Sequence, residues 1–191
     1  MRSWWLAAAL IAALYPGIAR AVTIGIDVDP ATPEIDDIAV IAHPSQLRVR
    51  VTVQDLQAAA PLNAFEIDLR FDGSRLRPLS LLDLDFLPGN TFEVERRIDP
   101  NEIGFALAVL GATGATGSGA LFEVTFETLG PGRADFDYGT VKLSAPRGVA
   151  IAHDLTRASV EILPEASTAG LVGLGFAGLL LRRRLTGSGR Q

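Results

Sequence analysis

The chain of 191 residues contains no cysteine. That removes disulfide staples, thiol nucleophiles, lipid-modified cysteine anchors and cysteine-ligated zinc from consideration. Histidine is nearly as scarce, with His43 and His153 the two present, so few acid–base or metal schemes can be built. Both tryptophans, Trp4 and Trp5, fall in the first five residues, and residues 22–163 therefore offer no indole to a ligand. Basic residues are short in the same stretch. Residues 22–163 hold 11 Lys and Arg against 21 Asp and Glu, a net charge of −10, although the whole chain carries only −5. A body this acidic repels polyanions, which argues against nucleic acid as a partner.

The two ends differ from the body in kind. Residues 1–21 have the layout of a secretory signal peptide: Arg2 supplies the positive start, Trp4–Tyr15 is an apolar run broken by Pro16-Gly17, and Ala19 and Ala21 are the small residues at −3 and −1 of a cleavage site. A membrane-spanning helix needs roughly 20 apolar residues. The run is too short for that, and cleavage after Ala21 is expected.

At the other end, Pro164-Glu165-Ala166-Ser167-Thr168 precedes an apolar run Ala169–Leu181 and then Arg182-Arg183-Arg184. At about 1.5 Å per residue that run makes a helix about 20 Å long, short of a hydrocarbon core of roughly 30 Å. Ser167 and Thr168 can extend it, and the arginines can snorkel to the interface. The arginine cluster also holds that end in the cytoplasm, which leaves the body facing out. This order of elements resembles the PEP-CTERM sorting signal of Gram-negative bacteria. Pro164 and Glu165 match its Pro-Glu-Pro motif, and Ala166 stands where the second Pro would be. The resemblance covers residues 164–191. It implies a membrane-held stage, an exosortase-type processing peptidase as partner, and a final place in the cell envelope or outside the cell. A plain single-span anchor is the alternative.

Between the ends the apolar pattern has period two. Leu47, Val49, Val51 and Val53 alternate with Arg48, Arg50, Thr52 and Gln54. Phe65, Ile67, Leu69 and Phe71 alternate with Glu66, Asp68, Arg70 and Asp72; Phe122, Val124 and Phe126 with Glu123, Thr125 and Glu127; and Val160 and Ile162 flank Glu161. Phe92, Val94 and Ile98 are expected to face away from Glu93, Glu95 and Arg97. Such alternation marks strands with one face in a core and one in water. Residues 103–110 are apolar in both phases, which predicts an interior strand. Turn signals separate the runs: Asp72-Gly73, Pro88-Gly89-Asn90, Asp99-Pro100-Asn101, Gly130-Pro131-Gly132 and Pro146-Arg147-Gly148. The expectation is an all-β, jelly-roll-type sandwich of two sheets and about nine strands over residues 22–163.

The ordered strands also resemble a cohesin-type domain, a fold shared with cellulose-binding modules. The residues that carry the resemblance are Val49–Val53, Asn63–Asp72 followed by Leu76, Ile103–Ala106, and Gly117-Ser118-Gly119-Ala120-Leu121 leading into Phe122–Phe126. It implies a binding module without catalytic residues that recognises its partner through one sheet face. The matching strands would be 63–72, 92–98, 102–110 and 119–128. Their outward phases offer Gly104, Ala106 and Ala108 as a flat strip of small residues, rimmed by Glu66, Asp68 and Arg70, by Glu93, Glu95 and Arg97, and by Glu123, Thr125 and Glu127.

Catalysis finds little support. His43 precedes Pro44 and His153 precedes Asp154, both in expected loops, and Glu66 and Asp68 lie two apart on the wet face of one strand. The Gly-rich run 113–119 lacks Lys and opens no helix, so it is not a phosphate cradle. Asp27, Asp29, Glu34, Asp36 and Asp37 form an acidic cluster that could attract calcium, but the spacing is not that of an EF-hand; no cofactor is expected. Two functions compete. One is protein recognition or scaffolding in the envelope or extracellular matrix. The other is binding of an exopolysaccharide or other glycan. Sugar binders usually present aromatic faces, and here only Phe86 and Tyr138 are expected to be free to stack, which favours a protein partner.

Overall fold

The computed structural model describes residues 21–111 and 114–165. The signal-peptide expectation (except Ala21), the sorting motif from Ala166 onward, the helix 169–181 and Arg182–Arg184 lie outside the described residues. Among those described, no helix is long and apolar enough to cross a membrane.

The chain runs through β1 (Val22–Asp27), β2 (Ile38–Ala42), β3 (Gln46–Leu56), β4 (Ala64–Phe71), β5 (Leu76–Asp83), β6 (Thr91–Ile98) and β7 (Glu102–Val109). It continues through β8 (Gly117–Thr128), β9 (Gly132–Ala145), a single 3-10 turn (Pro146–Gly148), β10 (Val149–Ala150), β11 (His153–Thr156) and β12 (Ala158–Leu163). Sheet A has the order β11-β1-β3-β8-β5. Sheet B has the order β2-β12-β9-β4-β7-β6, with β10 on β9. The body is thus an all-β sandwich, and the turn signals read from the sequence fall between strands, with Gly132 the first residue of β9.

The strand count exceeds nine for a physical reason. The chain switches sheets near both ends of the domain. β1 pairs in parallel with β11 in sheet A, and after the loop 28–37 β2 pairs in parallel with β12 in sheet B. Pro30 and Pro33, which have no N–H to give a ladder, sit in that loop and split what would be one strand into two.

Period-two patterning becomes burial as expected. Leu47, Val49, Val51 and Val53 of β3, Phe65, Ile67, Leu69 and Phe71 of β4, and Phe122, Val124 and Phe126 of β8 are all buried. Phenylalanines tie the two sheets together. Phe122 of sheet A meets Phe105 of sheet B edge-on at 5.4 Å, and Phe126 meets Phe71 at 4.9 Å and Phe136 at 5.6 Å. Each such pair adds about 0.5–1.5 kcal/mol beyond the area it buries. β7 is interior, flanked by β4 and β6.

Expectations about aromatic side chains fail at three positions. In β6 the ladder slips between Glu93 and Glu95. This bulge flips the phase within the strand, so Phe92, Glu95 and Arg97 share the outer face, opposite Ala108, Ala106 and Gly104. Phe92 is consequently 57% exposed, not inward. Tyr138 is buried, not free to stack, and burial pushes its phenol well above the usual range. Phe86 is half-buried, with its ring 2.5 Å from where a Cβ on Gly119 would stand. An interior glycine there admits the ring against the strand.

Candidate functional site

The outer face of sheet B, across β9-β4-β7-β6, gathers Glu66, Asp68, Arg70, Gly104, Ala106 and Ala108. Register sets them in rows. Lys142 of β9, Glu66 of β4, Ala106 of β7 and Glu95 of β6 stand side by side; Asp68, Gly104 and Arg97 form the next row; Asp137, Arg70 and Glu102 the third.

Arg97 is the hub. Its Nη2 donates to Asp68 Oδ1 at 2.9 Å and to Glu102 Oε1 at 3.0 Å, its Nε to Glu95 Oε1 at 2.9 Å and its Nη1 to Asp99 Oδ2 at 2.7 Å. Arg70 Nε donates to Glu102 Oε2 at 2.7 Å, Lys142 Nζ to Glu66 Oε1 at 2.9 Å, and the Thr140 amide to Asp68 Oδ2 at 3.3 Å. Hydrogen bonds from Arg70 and Arg97 hold the Glu102 carboxyl below its ordinary range, and its carboxylate partners, Asp99 first, raise Arg97. A single exposed ion pair contributes about 0–1 kcal/mol. Linked through one planar guanidinium, these pairs instead fix a rigid, patterned surface.

The strip of small residues is therefore not bare. Gly104 and Ala106 are buried, Ala106 at 4% exposure. A Cβ on Gly104 would stand 2.5 Å from Glu95 Oε1, 2.9 Å from Arg97 Nη2 and 3.0 Å from Asp68 Oδ1. The missing side chain lets the ion network lie flat over the strand. Ala108, half-buried, sits beside exposed Phe92.

Glu123, Thr125 and Glu127 do not join this face. β8 belongs to sheet A, between β3 and β5, so they lie on the opposite side of the sandwich. Alternation tells inward from outward but not which sheet a strand enters. There Glu123 accepts from Arg50 Nε at 2.7 Å and is buried, and Arg77 pairs with Glu127. In place of β8, the fourth strand of the sheet B face is β9, which supplies Lys142 and Thr140. Of the β6 residues read from the sequence into the rim, Glu95 and Arg97 stand on this face, whereas Glu93 pairs with inward Leu107; Glu102 and Lys142 were missing from the sequence-derived face. Gly104 inside an otherwise apolar strand was the available signal, since such a glycine marks the close approach of another group.

Pro164 and Glu165 are exposed just after β12, and Ala19 and Ala166 lie outside the described residues; Ala21 is exposed at the start of β1. His43 lies in a loop, whereas His153, also expected in a loop, opens β11. His43 Nδ1 lies 3.1 Å from Thr128 Oγ1, and His153 Nδ1 lies 2.9 Å from the Ile151 carbonyl. The acidic cluster is divided. Asp27 is buried and its Oδ1 accepts from the Asp29 and Asp36 amides at 3.1 and 3.4 Å, while Asp36 accepts from the Thr32 hydroxyl at 2.5 Å. These bonds fold the 28–37 loop. Among the described residues no group of three or more His, Asp or Glu is placed to hold a metal ion.

No family model and no curated protein sequence matches the chain. Solved structures do resemble it. A non-cellulosomal cohesin of Archaeoglobus fulgidus superimposes with a TM-score of 0.59 at 14% identity, covering 79% of this chain and 97% of that one. The seventh ScaB type I cohesin of Pseudobacteroides cellulosolvens gives 0.60 at 13% identity, covering 76% and 94%. A type I cohesin solved in complex with a dockerin, from Clostridium thermocellum, gives 0.60 at 11% identity, covering 75% and 95%. At such identities the likeness speaks for architecture alone: the body has the fold of a cohesin module.

Proposed function

We propose that this protein is an exported, non-catalytic binding module that recognises another protein through the outer face of sheet B, for recognition or scaffolding at the cell envelope or in the extracellular matrix. The observation that carries this reading is the broad face of β9-β4-β7-β6. It is flat, pre-organised by the Arg97 network, and bordered by exposed Phe92 and Val94. An ordered charged surface with an apolar margin suits a partner of complementary charge, for which electrostatics sets specificity and association rate. The cohesin structures solved with dockerins support a protein partner. The signal-like residues 1–21 and the PEP-CTERM-like tail support export and handling by an exosortase-type peptidase.

A second reading keeps one supporting observation. Phe92 projects from the same face as several carboxylates and could stack on a sugar ring. One experiment separates the two. Proteins from envelope extract and a panel of glycans are offered to the parent, to the face variants Lys142→Glu and Phe92→Ala, and to Thr125→Arg on the opposite sheet. Capture of a protein that is lost in both face variants and kept in Thr125→Arg supports the protein reading. Glycan binding lost in Phe92→Ala alone supports the second reading. Binding lost only in Thr125→Arg places recognition on sheet A and defeats both.

A further inference from the structure

Among the described residues the two sheets end in four terminal strands, apart from the two-residue β10 on β9, and three of the four are blocked against pairing. β5 contains Pro78 and a register slip beside it. β6 carries its own bulge and turns Glu93 and Arg96 toward the inner phase, with Arg96 Nη1 donating to the Leu81 carbonyl at 2.7 Å across the gap between sheets. β11 is four residues long and includes Asp154. Bulges, prolines, inward charges and short strands are the devices that stop sheets from joining edge to edge. β2, five residues long, carries no proline, no charge and no bulge. Its sequence is Ile-Ala-Val-Ile-Ala, and it exposes Ile38 at 68% and Val40 at 62%.

The hydrogen bonding shows which backbone groups this edge presents. The Asp37 carbonyl accepts from the Ser159 amide at 2.8 Å, and the His43 amide donates to the Leu163 carbonyl at 2.9 Å. Residues 37 and 43 thus face β12, and alternation sends 39 and 41 the same way. Ile38, Val40 and Ala42 turn their N–H and C=O groups to the open side. An open groove runs there, walled by β2 on one side and by Gln46, Arg48 and Thr125 on the other, with the 28–36 loop lining the rest of it.

We infer that β2 is a self-pairing edge, which joins two copies of this chain through an antiparallel β2–β2 contact about a two-fold axis at Val40. The pattern is self-complementary under that axis, as an isologous contact requires. Val40 meets its own counterpart. Ile38 lies opposite Ala42 of the second copy, a large side chain against a small one. Asp37 lies opposite His43 of the second copy, an acceptor against an imidazole, and no like charges oppose. The residues that present backbone groups are the ones such a pairing places in hydrogen-bonded register. The contact extends sheet B at the edge far from β6. It is independent of the docking reading of the opposite end of that sheet.

The absence of cysteine makes the test clean. Val40→Cys gives the full chain a single thiol, and hydrogen-bonded antiparallel partners have Cα atoms about 5.5 Å apart, within disulfide reach. Val94→Cys, on the blocked β6 edge and equally exposed at 62%, measures random collision. The full-length chain is oxidised in detergent micelles. The expected result is covalent dimer from the Val40 variant in about tenfold excess over the Val94 variant, abolished when Ile38→Lys is added; a two-residue contact strip of this kind is a small interface. Ile38 is exposed, so Ile38→Lys keeps the fold, which circular dichroism verifies. In sedimentation the Ile38→Lys variant should shift toward monomer relative to the parent. Equal cross-linking of the two cysteine variants overturns the inference. So does a dimer that Ile38→Lys leaves unchanged. A Val40 thiol shielded from maleimide in a monomeric chain also overturns it, by showing that another segment or partner covers the edge.

Discussion

Arg97 lies across Gly104 so closely that a Cβ at position 104 would stand 2.9 Å from its Nη2. The contact ties a backbone property of β7 to the charge pattern of the face. The first prediction follows from it. Gly104→Ala must displace Glu95, Arg97 and Asp68, but all three contacts are with ends of flexible side chains. Stability should change by less than about 1 kcal/mol, while binding through the face is lost because the network is rearranged. Gly73→Ala is the contrast. Its Cβ would stand 2.1 Å from the Pro100 carbonyl oxygen, a backbone atom that cannot swing away. It should destabilise the domain much more. Thermal melts of both variants beside partner binding check this; a Gly104→Ala protein that melts as low as Gly73→Ala would show that the network is rigidly required by the fold.

Much of this architecture was legible in residue order. Alternation in β3, β4 and β8 found the core, and the Pro/Gly/Asn clusters found the turns. What was not legible came from relations between strands. Nothing local to Phe122–Phe126 says that β8 pairs with β3 and β5 instead of β7, so Glu123, Thr125 and Glu127 were assigned to the wrong face. Nothing local to Thr91–Ile98 announces the slip at Glu93/Glu95 that turns Phe92 outward. Bulges and sheet assignment are set by pairing partners, which an isolated strand does not encode.

The second prediction concerns the opposite face. Glu123 is a carboxylate with 10% side-chain exposure, held by Arg50 at 2.7 Å and approached by Arg48 only to 3.9 Å. Removing the close partner leaves a buried charge poorly satisfied. Arg50→Ala should cost about 1–3 kcal/mol. Arg48→Ala, 54% exposed and distant, should cost less than about 0.5 kcal/mol. Urea denaturation of both decides it, and equal costs would mean that Arg50 acts through packing of its stem.

The third prediction concerns the tail. Deletion of residues 164–191 should convert an envelope-held protein into a freely released one. The motive is the Pro164-Glu165 motif, the apolar run and Arg182–Arg184. The described body has a continuous core of its own within residues 22–162, so the shortened chain should still fold. Fractionation of cells that express it is the check. Membrane retention unchanged by the deletion would show that the body anchors itself.

The last prediction is a pH dependence. Burial raises the Asp27 carboxyl above its ordinary value, against the smaller lowering effect of the Asp29 and Asp36 amides. A raised folded-state value means that the native protein binds this proton more tightly than the unfolded chain. Asp27 therefore costs nothing below its unfolded value of about 4, and its ionisation costs stability progressively as pH rises through the folded value. Asp27→Asn keeps an Oδ1 that can accept from both amides but carries no charge. The variant should match the parent near pH 3 and become the more stable protein as pH rises, with the gap level by about pH 7. Glu102 and Asp72 act in the opposite sense. Their carboxyls are lowered, by Arg70 and Arg97 and by Ser74, so they stabilise above their unfolded values and lose that contribution as pH falls. Both are present in parent and variant and cancel in the difference. Denaturation of the pair across pH 3–7 reads the gap directly. A gap that stays constant, or that shrinks as pH rises, would mean that the buried carboxylate is as well satisfied in the fold as in water.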